Sequence, residues 1–348
     1  MIRRWTIVAE YALRPARTDD FGGLVALATA SADTGVIRVA PKYIRNPVEA
    51  FAALKPELEW VVAEAAEGII GGGQVIFTEA VVEGELHRCA CLGSLMVHPV
   101  YRRRGIARAL TRWRLDRAGD DAVIVAGIQT GNKASVANAR HWATQIFGTL
   151  TLPAFRVKRG FSPPPGLELR EPRDEDEWEA AAAGLASFER DWNLRIPETG
   201  KSLQERASRA LDGERFQRYY VAVEGGRVVG GFEFLESARL QTLLFEHLPL
   251  GLRALNVFLR LIPRDGELRP NALSRIWYHP DRKHVAGALW GHARSLAAES
   301  GNAVGTQFDR RSPLSEVLRV RPWTPKGTLT VAVRSPVRLS EERLLAPL

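Results

Sequence analysis

The stretch Leu95-Met-Val-His-Pro-Val-Tyr-Arg-Arg-Arg-Gly-Ile-Ala-Arg-Ala-Leu110 decides the reading of this chain: an apolar strand runs into an arginine-rich turn with a glycine, then into a helix. A helix opening leaves backbone N–H groups without partners, and the macrodipole adds partial positive charge there, so an anion docks on backbone. Arg102, Arg103, Arg104 and Arg108 gather side-chain charge around the same point. Gly105 removes the Cβ that would keep a ligand away from the chain, and Ala107 leaves the next approach nearly as open. A diphosphate is the guest that suits such a turn. Downstream, Ile106, Leu110, Trp113 and Leu115 give an approximately helical apolar stripe.

The chain also repeats itself, with landmarks recurring in the same order. Leu13-Arg14-Pro15 before an apolar helical segment matches Leu169-Arg170-Glu171-Pro172, and the hairpin around Val61 to Phe77 matches that around Tyr220 to Phe232, with its Gly225-Gly226 turn. His98-Pro99 matches His279-Pro280, each followed by basic residues and a helix, and Gly148-Thr-Leu-Thr-Leu152 matches Gly327-Thr-Leu-Thr-Val331. The join is Gly160-Phe-Ser-Pro-Pro-Pro-Gly166, stiff because consecutive prolines favour an extended chain. The halves are not equivalent. In the second turn, His279 to Leu289, the loop is shorter and His284 stands where Gly105 stands in the first, so an imidazole blocks the backbone approach a pyrophosphate needs. Ala286, the counterpart of Ala107, is expected to tolerate a charge there without affecting ligand binding.

With Arg102, Gly105 and Ala107 at its three fixed places, the first turn resembles the acyl-CoA-binding motif Arg/Gln-x-x-Gly-x-Gly/Ala of the GNAT superfamily of N-acyltransferases. The resemblance implies a mixed α/β fold class: two tandem GNAT-like domains, each a mixed twisted sheet flanked by helices. The expected boundaries are 1–160 for an acyl-CoA-binding domain, 161–167 for the linker and 168–348 for a degenerate GNAT-like domain. In that second domain, leucines spaced by three and four predict a helical insertion at about 237–270. Such an apolar insertion needs cover, from the neighbouring domain, from a second copy in a homodimer, or by acting as a lid over a greasy substrate. The resemblance further implies that the backbone of Leu95, Met96 and Val97 pairs with the pantetheine arm. It places the phosphates at Arg102, Arg103, Arg104, Gly105, Ile106, Ala107 and Arg108, with contacts from Asn132 and Ser135.

The implied reaction is direct attack of a small-molecule primary amine on the thioester of acetyl-CoA or another acyl-CoA. The proton-transfer residues do not follow the pattern. Many relatives carry a glutamate four residues ahead of the leucine equivalent to Leu95, and here that place is Cys91; the tyrosine expected in the helix after the next strand is missing between Gln129 and Trp142. Candidates for a general base or acid are Glu64 and Glu79 near the hairpin, with Glu83 and Glu85 beyond, and the imidazoles of His98 and His141. Cys91, between Ala90 and Leu92, has no neighbouring cation in the sequence to lower its pKa, which argues against a nucleophile. The alternatives are a non-catalytic acyl-CoA or ligand-binding protein, and an acyltransferase acting on an amine borne by RNA or protein.

Composition narrows the classes further. A 45% hydrophobic, 25% charged chain of 348 residues has room for two ordinary domain cores. No run reaches the length of a membrane span and no secretory leader is apparent, so a cytoplasmic location without membrane attachment is expected. Its only cysteines, Cys89 and Cys91, have no companion spacing that suggests a metal site. The net charge of +8 is diffuse and interleaved with acids, so an anionic cofactor accounts for the arginine cluster and nucleic acid is not the expected partner.

Overall fold

The computed structural model describes residues 11–31, 38–247, 263, 265–322 and 324–347. The first repeat comprises β1 (Ala12–Pro15), α1 (Phe21–Ala30), β2 (Arg38–Tyr43), α2 (Pro47–Leu54), β3 (Leu58–Ala65), β4 (Gly68–Val82), β5 (Glu85–Val97), α3 (Ile106–Ala118), β6 (Val123–Gln129), α4 (Lys133–Ala139) and β7 (Gln145–Arg156). The second comprises β8 (Leu167–Arg170), α5 (Glu175–Phe188), α6 (Gly200–Ser208), β9 (Gln217–Glu224), β10 (Arg227–Leu235), β11 (Gln241–His247), β12 (Pro270–Tyr278), α7 (Lys283–Ser300), β13 (Ala303–Thr306), α8 (Leu314–Leu318) and β14 (Lys326–Arg334). Local chemistry explains many of the boundaries. Asn46 caps α2 ahead of Pro47, Asp174 caps α5 ahead of three acids, and Thr199 with Ser202 closes a capping box on α6. The β9–β10 hairpin turns on Gly225 and Gly226, both at positive φ.

The repeats do not form separate sheets. One sheet runs β1-β3-β4-β5-β6-β14-β7-β13-β12-β10-β9-β8, so each repeat has given its last strand to the other. β14 pairs antiparallel with β6 of the first repeat, and β7 pairs antiparallel with β13 of the second. The strands on either side mirror one another in order, as a duplication related by a two-fold axis between β14 and β7 would require.

Helices cover both faces. On one face of the first repeat, Val61, Ala63, Ile106 and Leu110 pack together, and Val75, Ala90, Leu92 and Ile124 pack near Ala118, all beneath α3. On the other face α1 and α2 cover Leu58, Trp60 and Val62, while the C-terminal residues Leu339 and Leu345 lie over Cys89, Val125 and Val333. In the second repeat α7 covers Phe232, Phe234 and Val304, and α5 with α6 covers Tyr219, Val221 and Trp277. Twin glycines set the closeness of helix to sheet. A Cβ on Gly71 would lie 2.9 Å from Ile106, and one on Gly230 would lie 2.9 Å from Leu289 and 3.0 Å from Val285.

The segment expected to be helical at about 237–270 holds no α-helix where it is described. It opens with a short 3-10 turn, enters strand β11, and β11 pairs with β2 of the first repeat, Leu243 opposite Pro41 and Leu244 opposite Ala40. Residues 248–262 lie outside the described residues. Leucines at spacings of three and four fit a helix, but Thr242 to Phe245 are equally strand-forming, and an unpaired β2 edge supplies the partner.

Because β14 bridges β6 and β7, removing residues 326–348 exposes two strand edges at the centre of the sheet. We expect the truncated chain to lose cooperative unfolding, measured by circular dichroism against temperature; a transition as sharp as that of the full chain would refute the bridging role.

Candidate active site

The site begins with a break in strand pairing. β5 and β6 pair in parallel only from Cys89 opposite Val123 to Leu92 opposite Ala126, yet β5 continues to Val97 and β6 to Gln129. β6 stays paired to β14 on its far side as far as Gln129, so the two parallel strands splay and leave the Gly93 to Val97 edge facing a wedge. A bulge bends β5 at the same point. Gly72 opposes Met96 while Gln74 opposes Gly93, and the extra residue Ser94 takes φ of 47°.

Arg114 holds the bulge from beneath. Its buried guanidinium donates to the carbonyls of Gln74 (3.0 Å), Gly93 (3.1 Å) and Leu110 (3.1 Å) and to Thr111 Oγ1 (3.2 Å). No carboxylate pairs with it among the described residues, and burial lowers its pKa to about 10. Gly73 makes room, because a Cβ there would sit 3.1 Å from the guanidinium.

At the mouth of the wedge stands the arginine turn. Gly105 caps α3 at φ of 81°, and a Cβ added to it meets nothing within 4 Å, so open space lies in front of the helix N-terminus. Arg102, Arg103, Arg104, Gly105 and Arg108 are exposed, and none of these arginines has a carboxylate partner among the described residues. Arg102 Nε instead donates to Val97 O (3.1 Å), Arg104 lies over the Tyr101 ring, and Arg108 Nη2 contacts His141 Nε2 at 2.9 Å. Ile106 is buried over Gly71 and has only its backbone to offer a ligand, while the Leu95, Met96 and Val97 side chains pack into the flanking cores. Across the wedge, Asn132 caps α4 by accepting from Ser135 N (3.0 Å).

The second repeat builds the same wedge and fills it. β12 and β13 part after Leu273 opposite Thr306, and Arg275 takes the bulge position of Ser94 with φ of 50°. Here Leu314, Val317 and Leu318 of α8 pack against Ile276, Tyr278, Leu289 and Trp290, leaving a cavity of about 10 Å³. The charges are spent internally as well. Glu224 pairs with Arg282 and with His284 Nε2 (2.9 Å), and Glu316 pairs with Lys283 (3.0 Å). Val285 and Leu289 over Gly230 match Ile106 and Leu110 over Gly71, which aligns His284 with Gly105. The same register places Ala286 in the core at 3% exposure, so it does not tolerate a charge; Gly287, exposed and with free space at its Cβ, does.

The residues considered for proton transfer are scattered. Glu64 is held by Arg14 (2.7 Å), whose guanidinium also grips Asp20, at the β1–β3 edge. Glu79 is exposed on β4, one residue off the strand face that carries Cys91. His98 packs edge-on against Tyr101, and its buried Nδ1 has no partner. His141 contacts Arg108 beside the arginine turn.

Sequence reading missed what lies on the opposite face of the wedge, between the repeats. Gln74 Oε1 accepts from Ser94 Oγ (2.7 Å) there. In the seam between the repeats Arg206 reaches Glu57 (3.7 Å), Glu198 (3.1 Å) and Glu233 (3.5 Å), and Arg275 reaches Glu198 and Glu233 at 2.6 Å each. The cation found absent near Cys91 in the sequence is Lys55, at the C-terminus of α2. The Cys91 thiol is pulled down by its hydrogen bond with Cys89 and further by the Lys55 charge, against the opposing effect of burial. Glu189 is buried, and desolvation raises its pKa to about 7 despite Arg275 and Arg195. These groups share one environment only because the two repeats meet there, a juxtaposition that no local motif announces.

Residues 25–142 match the family model for the acetyltransferase (GNAT) family. That stretch is a GNAT-family acetyltransferase domain. Its chemistry is that of an acyl-CoA-dependent N-acyltransferase. Comparison with curated protein sequences finds no match. Among solved structures, Saccharomyces cerevisiae N-myristoyltransferase with bound myristoyl-CoA aligns with a TM-score of 0.67 at 10% identity, covering 99% of this chain and 90% of that one. A GCN5-related N-acetyltransferase from Sphaerobacter thermophilus gives 0.59 at 14% identity, covering 95% and 98%. A tandem GNAT protein from the clavulanic acid biosynthesis pathway gives 0.57 at 17% identity, covering 95% and 100%. These likenesses are of fold. No described helix is long and apolar enough to cross a membrane, and no cluster of three or more metal-ligating side chains occurs among the described residues.

Glu189 generates a pH signature. Its folded pKa near 7 lies above the ordinary 4.5, so its contribution to stability is fully present below about pH 4.5 and is lost as pH rises through about 7. We expect Glu189→Gln to flatten that decline, by on the order of 3 kcal/mol at about pH 8. Urea unfolding across that pH range measures it, and parallel curves for the two proteins would contradict the assignment.

Proposed function

We propose that the first repeat, residues 1–160, binds acetyl-CoA and that the protein transfers its acetyl group to a primary amine of a small molecule by direct attack, with residues 168–348 completing the acceptor side. The observation that carries this reading is the contrast between the two wedges: one is open and edged by arginines without carboxylate partners among the described residues, the other is plugged by α8 and self-neutralised. The thioester supplies an activated acyl carbon. The free Gly93 to Val97 edge suits pairing with an amide-bearing arm, as an added strand would pair. The α3 N-terminus and Arg102 to Arg108 suit a diphosphate, and Gly105 leaves room for it against the backbone.

A backbone N–H at the bulge is fixed by the Arg114 clamp, so it can meet the charge that develops on a carbonyl oxygen without reorganising. The acceptor amine then approaches from the face that carries Gln74, Cys91 and the inter-repeat carboxylates. The plugged second wedge serves as scaffold, and its Arg275 side chain is spent in the acceptor-side network rather than on a ligand of its own.

Calorimetric titration of acetyl-CoA tests this. One site per chain is expected. Gly105→Glu should weaken binding at least about 100-fold, roughly 3 kcal/mol, through steric block and charge repulsion. Gly287→Glu, at the corresponding turn of the second repeat, should leave it unchanged. Two sites per chain, or equal losses from the two variants, would overturn the asymmetric reading. Once binding is established, an amine screen identifies the acceptor, and failure of every small amine would redirect the search to peptide-borne ones.

A further inference from the structure

Lys55 ends α2, its backbone N–H donating to Phe51 O at 2.7 Å. The helix end is pinned to the second repeat, because Arg209 donates to Leu54 O at 2.9 Å. Three residues later the chain enters β3, and Leu58, Ile76, Cys91 and Val125 then lie side by side as one row across four strands. α1 and α2 pack on the face of the sheet that Leu58 shares, so Lys55 overlooks this row. Cys91 and its neighbour Leu92 are the last residues before β5 and β6 part, so the row borders the wedge on the acceptor side.

The groups around Lys55 are already engaged with others. Glu57 is shared by Arg206 and Arg209, and Glu233 binds Arg275 and Ser274 Oγ at 2.6 Å each. The Lys55 side chain has no hydrogen bond or ion pair among the described residues, yet the residue is not sealed off and keeps partial exposure. Burial lowers its pKa, which favours the neutral amine. A neutral primary amine at the acceptor side of an acyl-thioester wedge is what the transfer consumes.

We propose that Lys55 is itself an acyl acceptor, so that the protein acetylates its own cleft. This rests on the acetyl-CoA reading above. The lone pair of neutral Lys55 Nζ attacks the thioester carbon, the C–N bond forms, the C–S bond breaks, and the proton released from nitrogen passes to the departing thiolate. The products are an acetyl-lysine amide and free CoA. The amide carries no charge and is larger than the amine, so the modification removes an unengaged cation beside the acceptor-side network and narrows the space an external amine would enter.

The test is to incubate the full chain with acetyl-CoA, count acetyl groups by intact mass, and map them by proteolysis and tandem mass spectrometry. The exposed Lys133, Lys201 and Lys283 report uncatalysed acylation in the same sample. Lys55 is expected to acquire acetyl at least about tenfold faster than these, because a bound donor raises its effective concentration. The excess should vanish in Gly105→Glu, and Lys55→Arg should acquire no compensating label. Labelling of Lys55 no faster than Lys201, or equal labelling in Gly105→Glu, would overturn the proposal. Calorimetry on the same sample separates the two readings: binding of acetyl-CoA without Lys55 labelling sinks self-acetylation alone, whereas absence of binding sinks both.

Discussion

The exchange of β14 and β7 between the repeats is the constraint from which the rest follows. Had each repeat kept its own last strand, the two would be separate sheets, free to tilt against one another. With β14 between β6 and β7, and β7 between β14 and β13, the wedge of the first repeat and the helices of the second belong to one hydrogen-bonded surface. The register fixes where Glu57 of one repeat meets Arg206 of the other, and the additional pairing of β2 with β11 closes the same seam from above. An inter-domain contact made of surface side chains alone would not hold these charges in a defined geometry.

Duplication gave both halves the same backbone device, a parallel pair that parts beyond a bulge beneath a helix N-terminus. What differs is how side chains spend it. In the first repeat Ser94 at the bulge is small, and the buried positive charge that holds the bend comes from Arg114 below, leaving the wedge clear. In the second, the bulge residue is Arg275, whose guanidinium is drawn into the seam by Glu198 and Glu233, and α8 brings leucines where α4 brings Asn132 and Ser135. Filling an apolar wedge with Leu314 and Leu318 removes their surface from water, worth about 1.5 to 3 kcal/mol for each fully buried side chain. The second repeat therefore gains stability from the space that the first keeps available, and its stiffness supports the open one.

The arginine turn, the glycine at its end and the duplication were legible in the sequence because each depends on local chemistry: helix openings, backbone freedom, and landmarks in order. The mispairing of His284 with Gly105 was equally legible, and packing over Gly71 and Gly230 shows the same register. Strand exchange was not, since Gly148 to Leu152 and Gly327 to Val331 look alike and either could follow either sheet. The stretch from Gln241 read as helix because leucine spacing is the same signal whether a helix or a strand buries it; only the free edge of β2 decides, and it lies some 200 residues away in the chain. Ala286 shows the converse failure, a small residue that reads as open but is covered by a helix that no pattern links to it.

The same limit explains why the acid and base groups eluded a reading by motif. β5 carries Cys91 where a carboxylate would be looked for, and neither Glu64 nor Glu79 faces the wedge. Two groups on the acceptor side, Glu189 and Lys55, shift toward their neutral forms for one shared reason. Arg206 and Arg275 saturate Glu57, Glu198 and Glu233, so the next carboxyl, Glu189, is left to desolvation and rises, and the next amine, Lys55, is left to desolvation and falls. Each would be unremarkable if the network had one partner more. A lysine with a lowered pKa and a carboxyl titrating near neutrality are thus by-products of pairing in the seam, and the seam exists because two strands changed places.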